Sequence, residues 1–268
     1  MAFERVNGVV LHHKVEGNAA GPTLVFANSL GTDFRIWDAM VADLSADYRI
    51  VRYDKRGHGL SEATPSPYAM EDHVADLKAL IDHLGLVDPL VVGLSIGGMI
   101  AQGLASQHPG VAKGLVLMDT AHRIGSDELW NQRITAIEAD GIAAISDQIL
   151  QRWFTPDFRA PGKPDFVGYS NMLLRTPLAG YLGSCCALRD ADYTDATRAL
   201  TLPVLCVVGD HDGSTPPDLV RSTADLIAGA RFEIVENAGH LPCIEQPQAT
   251  TRLVADFAAE VFGGAGNQ

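Results

Sequence analysis

The sequence predicts an α/β fold: a mostly parallel, eight-stranded sheet with helices on both faces and one helical insertion. Three observations lead there. Short apolar runs rich in β-branched residues alternate with amphipathic segments, the rhythm of strands joined by crossover helices. One of those runs, Leu90–Val92, leads into Gly93-Leu94-Ser95-Ile96-Gly97, and a helical pattern (Met99, Ile100, Gln102, Leu104, Ala105) follows at once. The rhythm then stops between about His122 and Arg198, where no strand pattern appears.

Taken in order, the first two strands lie around Val6 and over Val9–Val15, and Asn7-Gly8 between them reads as a hairpin turn. Thr23–Ala27, Ile50–Tyr53, Leu90–Val92, Gly114–Met118, Val204–Val208 and Phe232–Val235 are apolar on successive residues, as strands buried on both faces are. Val74, Leu77, Ile81 and Leu84 share one helical face, and Gly85 can end that helix in a left-handed conformation. Leu219, Val220, Leu226 and Ile227 suggest a further helix, and Leu253, Val254, Phe257 and Val261 the last. Gly263–Gln268 reads as a loose tail. The expected organisation is a core of residues 1–121 and 199–268, with residues 122–198 as a lid between two strands at the carboxyl edge of the sheet. Helical stretches at Trp130–Ala139 and Ile142–Trp153, four prolines and two of the three tryptophans fall in that lid.

A chain of 268 residues can bury one sizeable core, and 47% hydrophobic with 20% charged residues describes a soluble globular protein. No apolar run approaches the ~18 residues that cross a bilayer. The N-terminus lacks the charged-then-apolar form of a signal peptide, so a cytoplasmic protein is expected. The net charge of −13 argues against nucleic acid and anionic membranes as partners. Cys185 and Cys186 are adjacent, Cys206 lies in an apolar strand and Cys243 is expected in a loop; reduced, buried thiols are the reading.

Gly-x-Ser-x-Gly between a strand and a helix is the form of a nucleophile elbow. Side chains at Gly93 or Gly97 would collide with the neighbouring strand or helix, and the helix that starts there aims free N–H groups at the site. A serine needs a base. His12 and His13 lie in the hairpin, and His73, His83 and His108 in or at the ends of helices, where surface or structural roles suffice. His240 follows the last strand in Gly239-His240-Leu241-Pro242 and completes the order serine, acid, histidine. Asp210 and Asp212 both follow the strand Val204–Val208; Asp212, deeper in the loop, is favoured, and Asp119 is a third candidate. Asp210-His211-Asp212 has no second ligand cluster beside it, so no metal is expected. The oxyanion hole needs two N–H donors: Ile96, directly after the nucleophile, and Leu30 in the loop Asn28-Ser29-Leu30-Gly31-Thr32. Asp54–Ser61 is expected to be a structural loop on the rim, its charges satisfied locally.

These residues carry a resemblance. Ser95, Asp212, His240 and Gly57-His58-Gly59 resemble the α/β-hydrolase superfamily over essentially the whole chain. Asn28–Thr32, Gly93–Met99, Trp153-Phe154-Thr155-Pro156 and the stretch from Gly183 to Asp192 are similar to the 3-oxoadipate enol-lactonases. One departure is visible: Pro242-Cys243 stands where that family often has Ser-Asn. The resemblance implies an α/β-hydrolase fold and cofactor-free opening of an anionic lactone to 3-oxoadipate in aromatic-acid breakdown. The alternatives are a broader carboxylesterase, perhydrolase or carbon–carbon bond hydrolase with the same triad, or a non-catalytic receptor for a small molecule. A substrate carboxylate would call for an arginine fork. The lid holds eight basic residues against ten acidic ones, a net of −2, against −11 elsewhere. Trp130 and Arg133, three apart on one expected helix, share a face. Arg133, or a nearby lid arginine, is expected to hold the carboxylate, with Trp130 and Trp153 walling the pocket.

Overall fold

The computed structural model of the chain describes residues 1–263. Its eight strands are β1 (Ala2–Val6), β2 (Val9–Gly17), β3 (Thr23–Ala27), β4 (Arg49–Tyr53), β5 (Leu90–Leu94), β6 (Gly114–Met118), β7 (Val204–Gly209) and β8 (Arg231–Val235). They form one sheet in the order β1-β2-β4-β3-β5-β6-β7-β8. Only the pairings of β2 with β1 and with β4 are antiparallel. All the others are parallel. Asn7 and Gly8 both take positive φ, +47° and +77°, which lets the two-residue hairpin match the strand twist. Every residue of β3, β5, β6 and β7 is buried, which is why each reads as an unbroken apolar run rather than an alternation.

The helices around this sheet are α1 (Asp38–Leu44), α2 (Met70–His83) and α3 (Ile96–Gln107), then, after the connecting region, α9 (Pro217–Leu226), α10 (Pro242–Glu245) and α11 (Pro247–Gly263). Between β6 and β7 lie α4 (Asp127–Asp140), α5 (Ser146–Trp153), α6 (Pro164–Leu174), α7 (Leu178–Asp190) and α8 (Thr194–Arg198). Gly85 ends the α2 region at φ +59°. The core helices pack in two groups, α1 on α11 and α2 on α3, with α8 bridging α3 and α9.

Several expectations need correction. The stretch Ile142–Trp153 is not one helix: a 3-10 turn at Ile142–Ile145 precedes α5, and Gly141 before it has φ +76°. Helices α1, α6, α7 and α8 were not among the expected elements. Gly263 closes α11 rather than opening a tail, and the remainder of that tail lies outside the described residues. All four cysteines are free and buried, but Cys243 is in α10 and not in a loop. No helix among the described residues is long and apolar enough to cross a membrane.

The topology positions everything that follows. Chain order reverses between β3, β4 and β5, because β3 lies between β4 and β5. The loops leaving the carboxyl ends of β3 and β5 are therefore side by side, and such a switch point opens a crevice for ligands.

Candidate active site

Ser95 sits between β5 and α3 at φ +59°, ψ −120°, a backbone conformation that costs of order 1–3 kcal/mol. Neighbours hold it there. The Ser95 N–H donates to Met118 O at 2.9 Å, and the Ser95 carbonyl accepts the Thr120 hydroxyl at 2.6 Å and the N–H groups of Gly98 and Met99. The close approaches explain the glycines. A Cβ at Gly93 would lie 2.3 Å from Gly97 O, and one at Gly97 would lie 2.1 Å from Ala27 O in β3. Both obstacles are backbone. Gly97→Ala is therefore expected to destabilise by about 3 kcal/mol or more, lowering the thermal midpoint by roughly 10 °C in a melt followed by circular dichroism.

His240 follows β8 and is 2% exposed. Its Nδ1 lies 2.9 Å from Asp212 Oδ2. With Nδ1–H donated to that carboxylate, Nε2 is left as the basic nitrogen. The rest of the Asp212 carboxylate is filled by N–H groups of Ser214 and Thr215, at 2.7 and 3.1 Å, and by the Thr215 hydroxyl at 2.6 Å. Asp210 points elsewhere: it pairs with the exposed ring of His211 at 2.7 Å and accepts from Ala238 N. Asp119 is the close neighbour. It is fully buried at φ +45°, and its Oδ1 accepts the Gly209 N–H at 2.9 Å. Ligand-type atoms of Asp119, Asp212 and His240 all lie within 4.8 Å of one another. Burial first, and then the nearby Asp212, push the Asp119 carboxyl well above the usual carboxylate range, which favours its neutral form.

Ser95, His240, Ser29 and Leu30 line one pocket together with Trp130, Arg133, Arg152, Trp153, Tyr181 and Leu188. Ser95 shares this pocket with the His240 ring, and no direct hydrogen bond joins the two side chains. Ile96 opens α3, so its N–H is one of the unsatisfied groups at a helix start. Leu30 N–H has no acceptor among the described residues. Arg133 stacks on Trp130, its guanidinium 4.8 Å from the ring centroid. Trp130 is anchored by its indole N–H on Ile124 O at 2.6 Å. Neither Arg133 nor Arg152 has a carboxylate within 4.0 Å among the described residues. Arg152 had not been singled out in the sequence; it lies beside Trp153 in α5, where a charged residue on an amphipathic helix reads as solvated.

A main-chain bond ties the pocket wall to His240. The Trp153 carbonyl accepts the His240 N–H at 2.9 Å, and a Cβ at Gly239 would lie 2.4 Å from that carbonyl. Glu245 clamps the same junction, accepting from Gly239 N at 2.7 Å, Thr155 N at 3.1 Å and the Thr155 hydroxyl at 2.6 Å.

The profile of the α/β-hydrolase fold family matches residues 22–247. The chain is an α/β hydrolase. Among its curated relatives is the 3-oxoadipate enol-lactonase 2 of Acinetobacter baylyi, 32% identical over 246 residues and 92% of each chain. The solved enol-lactonase of Burkholderia xenovorans superposes with a TM-score of 0.93 at 36% identity, covering 97% of this hydrolase and 100% of that chain. A thermophilic esterase from Thermogutta terrifontis, solved with malate bound, has a TM-score of 0.89 at 26% identity, covering 97% and 98%.

His12 and His73 of this hydrolase are packed into the interior. His12 is stacked between Phe3 and Phe34 and bonded to Asp54 at 2.7 Å. His73 is buried against Ser184, and His83 is exposed. The loop Asp54–Ser61 is not self-satisfied, contrary to expectation. Arg56 forks onto Asp76 of α2 with two bonds of 2.6 Å, and Lys55 Nζ donates to Ser29 O at 2.5 Å.

Proposed function

We propose that this hydrolase opens 3-oxoadipate enol-lactone to 3-oxoadipate, in the breakdown of aromatic acids. The observation that carries the reading is the pair of guanidiniums, Arg133 and Arg152, free of carboxylate partners in the pocket that also holds Ser95 and His240. The names of the relatives from Acinetobacter and Burkholderia support it. Ser95 Oγ attacks the lactone carbonyl while His240 Nε2 takes its proton, and Asp212 holds the imidazole and stabilises its charge. The N–H groups of Leu30 and Ile96 receive the oxyanion. Collapse expels the ring oxygen as an enolate, which takes a proton and becomes a ketone still tethered to the acyl-enzyme. Water, deprotonated by His240, then attacks the ester, and the product leaves as a dicarboxylate. No group beyond this chain and water enters those steps. The helices between β6 and β7 act as a lid, with the arginines gripping the acetate arm and Trp130 and Trp153 walling the ring.

The test is loss of the ultraviolet absorbance of the enol-lactone, run beside p-nitrophenyl acetate. The lactone is expected to be preferred in kcat/KM by at least about 100-fold, the worth of two or more charge-assisted bonds of about 1.5–3 kcal/mol each. Arg133→Ala and Arg152→Ala should each raise KM for the lactone by about 10- to 100-fold and leave that for the neutral ester unchanged. A preference for the neutral ester would replace this reading with that of a broad carboxylesterase, the reading favoured by the Thermogutta relative.

A further inference from the structure

Lys55 is an unusual group to find inside this protein. Its side chain is 1% exposed, and among the described residues no carboxylate lies within 4.0 Å of its ammonium. Burial pulls its pKa down to about 7, with Asp54 and Asp33 pulling weakly the other way. A lysine buried only to fill space would be poorly chosen, because burying an unpaired ammonium is costly.

What Lys55 touches suggests its use. Its Nζ donates to Ser29 O at 2.5 Å, and the same oxygen accepts the Thr32 hydroxyl at 2.8 Å and the Thr32 N–H at 3.3 Å. Three donors, one of them a cation, converge on one carbonyl. That carbonyl and the Leu30 N–H are the two edges of a single planar trans peptide and point in opposite directions. The next peptide is pinned too: Gly31 N–H donates to His58 Nε2 at 3.0 Å. His58 Nδ1 faces Arg56 O at 3.1 Å, and burial holds the ring neutral, so Nε2 stays an acceptor. The loop is fastened on both sides of Leu30, and the Leu30 N–H is the group left without a partner. Turning it away from the pocket would break the bonds at Ser29 O.

We propose that Lys55 is a positioning residue for the oxyanion hole: from behind the Ser29–Leu30 peptide, its ammonium holds the Leu30 N–H aimed at the carbonyl attacked by Ser95 and strengthens it as a donor. A hydrogen bond to one end of an amide polarises the other. A cation one peptide away also favours an anion that forms only in the transition state, where fixed charge in a dry site counts most. The inference rests on the reading of Ser95 as nucleophile and Leu30 as donor.

Lys55→Met keeps length and removes charge. With p-nitrophenyl acetate it is expected to lower kcat by about 10- to 100-fold, with KM within about twofold. Affinity for phenylboronic acid, which forms a tetrahedral anion on the serine, should weaken by a similar factor. The pH profile separates this from a packing role. The ammonium is present below about pH 7 and lost above it, so its loss should lower wild-type kcat as pH rises through that value. That limb should be absent in Lys55→Met. The groups facing Lys55 are Asp33 and Asp54, whose charges favour the ammonium, and His58 and His73, which burial keeps neutral. A folded Lys55→Met with unchanged kcat and boronate affinity overturns the proposal, whether or not its melting point falls. If that variant does not fold, Thr32→Val, which removes a second donor to Ser29 O, decides on the same two measurements with a smaller expected loss. A fluorophosphonate probe with mass spectrometry tests the underlying reading separately. Labelling of wild type at Ser95 upholds it, and no labelling removes it whatever Lys55→Met does.

Discussion

Ser95→Ala is expected to lower kcat by about 10⁴- to 10⁶-fold on any ester or lactone the protein accepts. In the proposed mechanism the Ser95 hydroxyl forms the acyl bond, and the other serines that line the pocket, Ser29 and Ser214, do not stand at the turn between β5 and α3. The loss should be confined to chemistry. The bonds that hold the elbow are made by the Ser95 backbone, through Met118 O, Thr120 Oγ1 and the N–H groups of Gly98 and Met99, and alanine keeps all of them. The thermal midpoint should therefore move by no more than a few degrees, and binding of the lactone should persist. Single-turnover kinetics and calorimetric titration of the variant check both halves. A wild type without turnover, paired with a variant that binds normally, would turn the molecule into a small-molecule receptor.

Asp212→Asn should cost about 10⁴-fold in kcat, because an amide in that place can select the wrong imidazole tautomer and cannot stabilise the imidazolium. The neighbouring Asp119 makes this variant more informative than usual. In the wild type, burial and the nearby Asp212 favour the neutral form of Asp119. Asp212→Asn removes the second of these, so the Asp119 pKa falls, and raising the pH supplies a carboxylate whose oxygen lies within 4.8 Å of the imidazole. Residual activity of Asp212→Asn should therefore climb with pH, and the double variant with Asp119→Asn should lose that climb. Asp119→Asn alone should cost less than about tenfold, since an amide oxygen can still accept the Gly209 N–H. Equal losses for the two single variants would transfer the role of the acid to Asp119.

Much of this was legible in the sequence, and the parts that were not have physical reasons. The elbow announces itself because its constraints are adjacent along the chain: an apolar strand, two glycines and a helix start within a few residues of Ser95. The buried strands are legible for a similar reason, since a strand covered on both faces is apolar at every position. Helix α7 was not, because Gly180 and Gly183 lower helix propensity. Their reason is tertiary: a Cβ at Gly180 would lie 2.0 Å from Gly57 O, and one at Gly183 would lie 2.6 Å from the Tyr68 ring. The same limit hid the meaning of Lys55. Its partner is 26 positions earlier in the chain, and only the neighbouring placement of the loops after β3 and β4 joins them. For Asp212 against Asp210, spacing could rank the two, but only the fold of the loop turns one toward His240 and the other toward His211.

Trp153 gives its ring to the wall of the cavity and its carbonyl oxygen to the main chain at His240. These two contributions respond differently to genetic change. Replacing the side chain reshapes the space available to a ligand and leaves the backbone bond intact. Inserting or deleting a residue between Leu150 and Thr155 displaces the ring and the imidazole together. Drift toward new substrates thus has freedom in which side chain stands at this position and almost none in how many residues lead to it. Selection for bulkier ligands should accumulate point substitutions here and leave the length of the segment untouched.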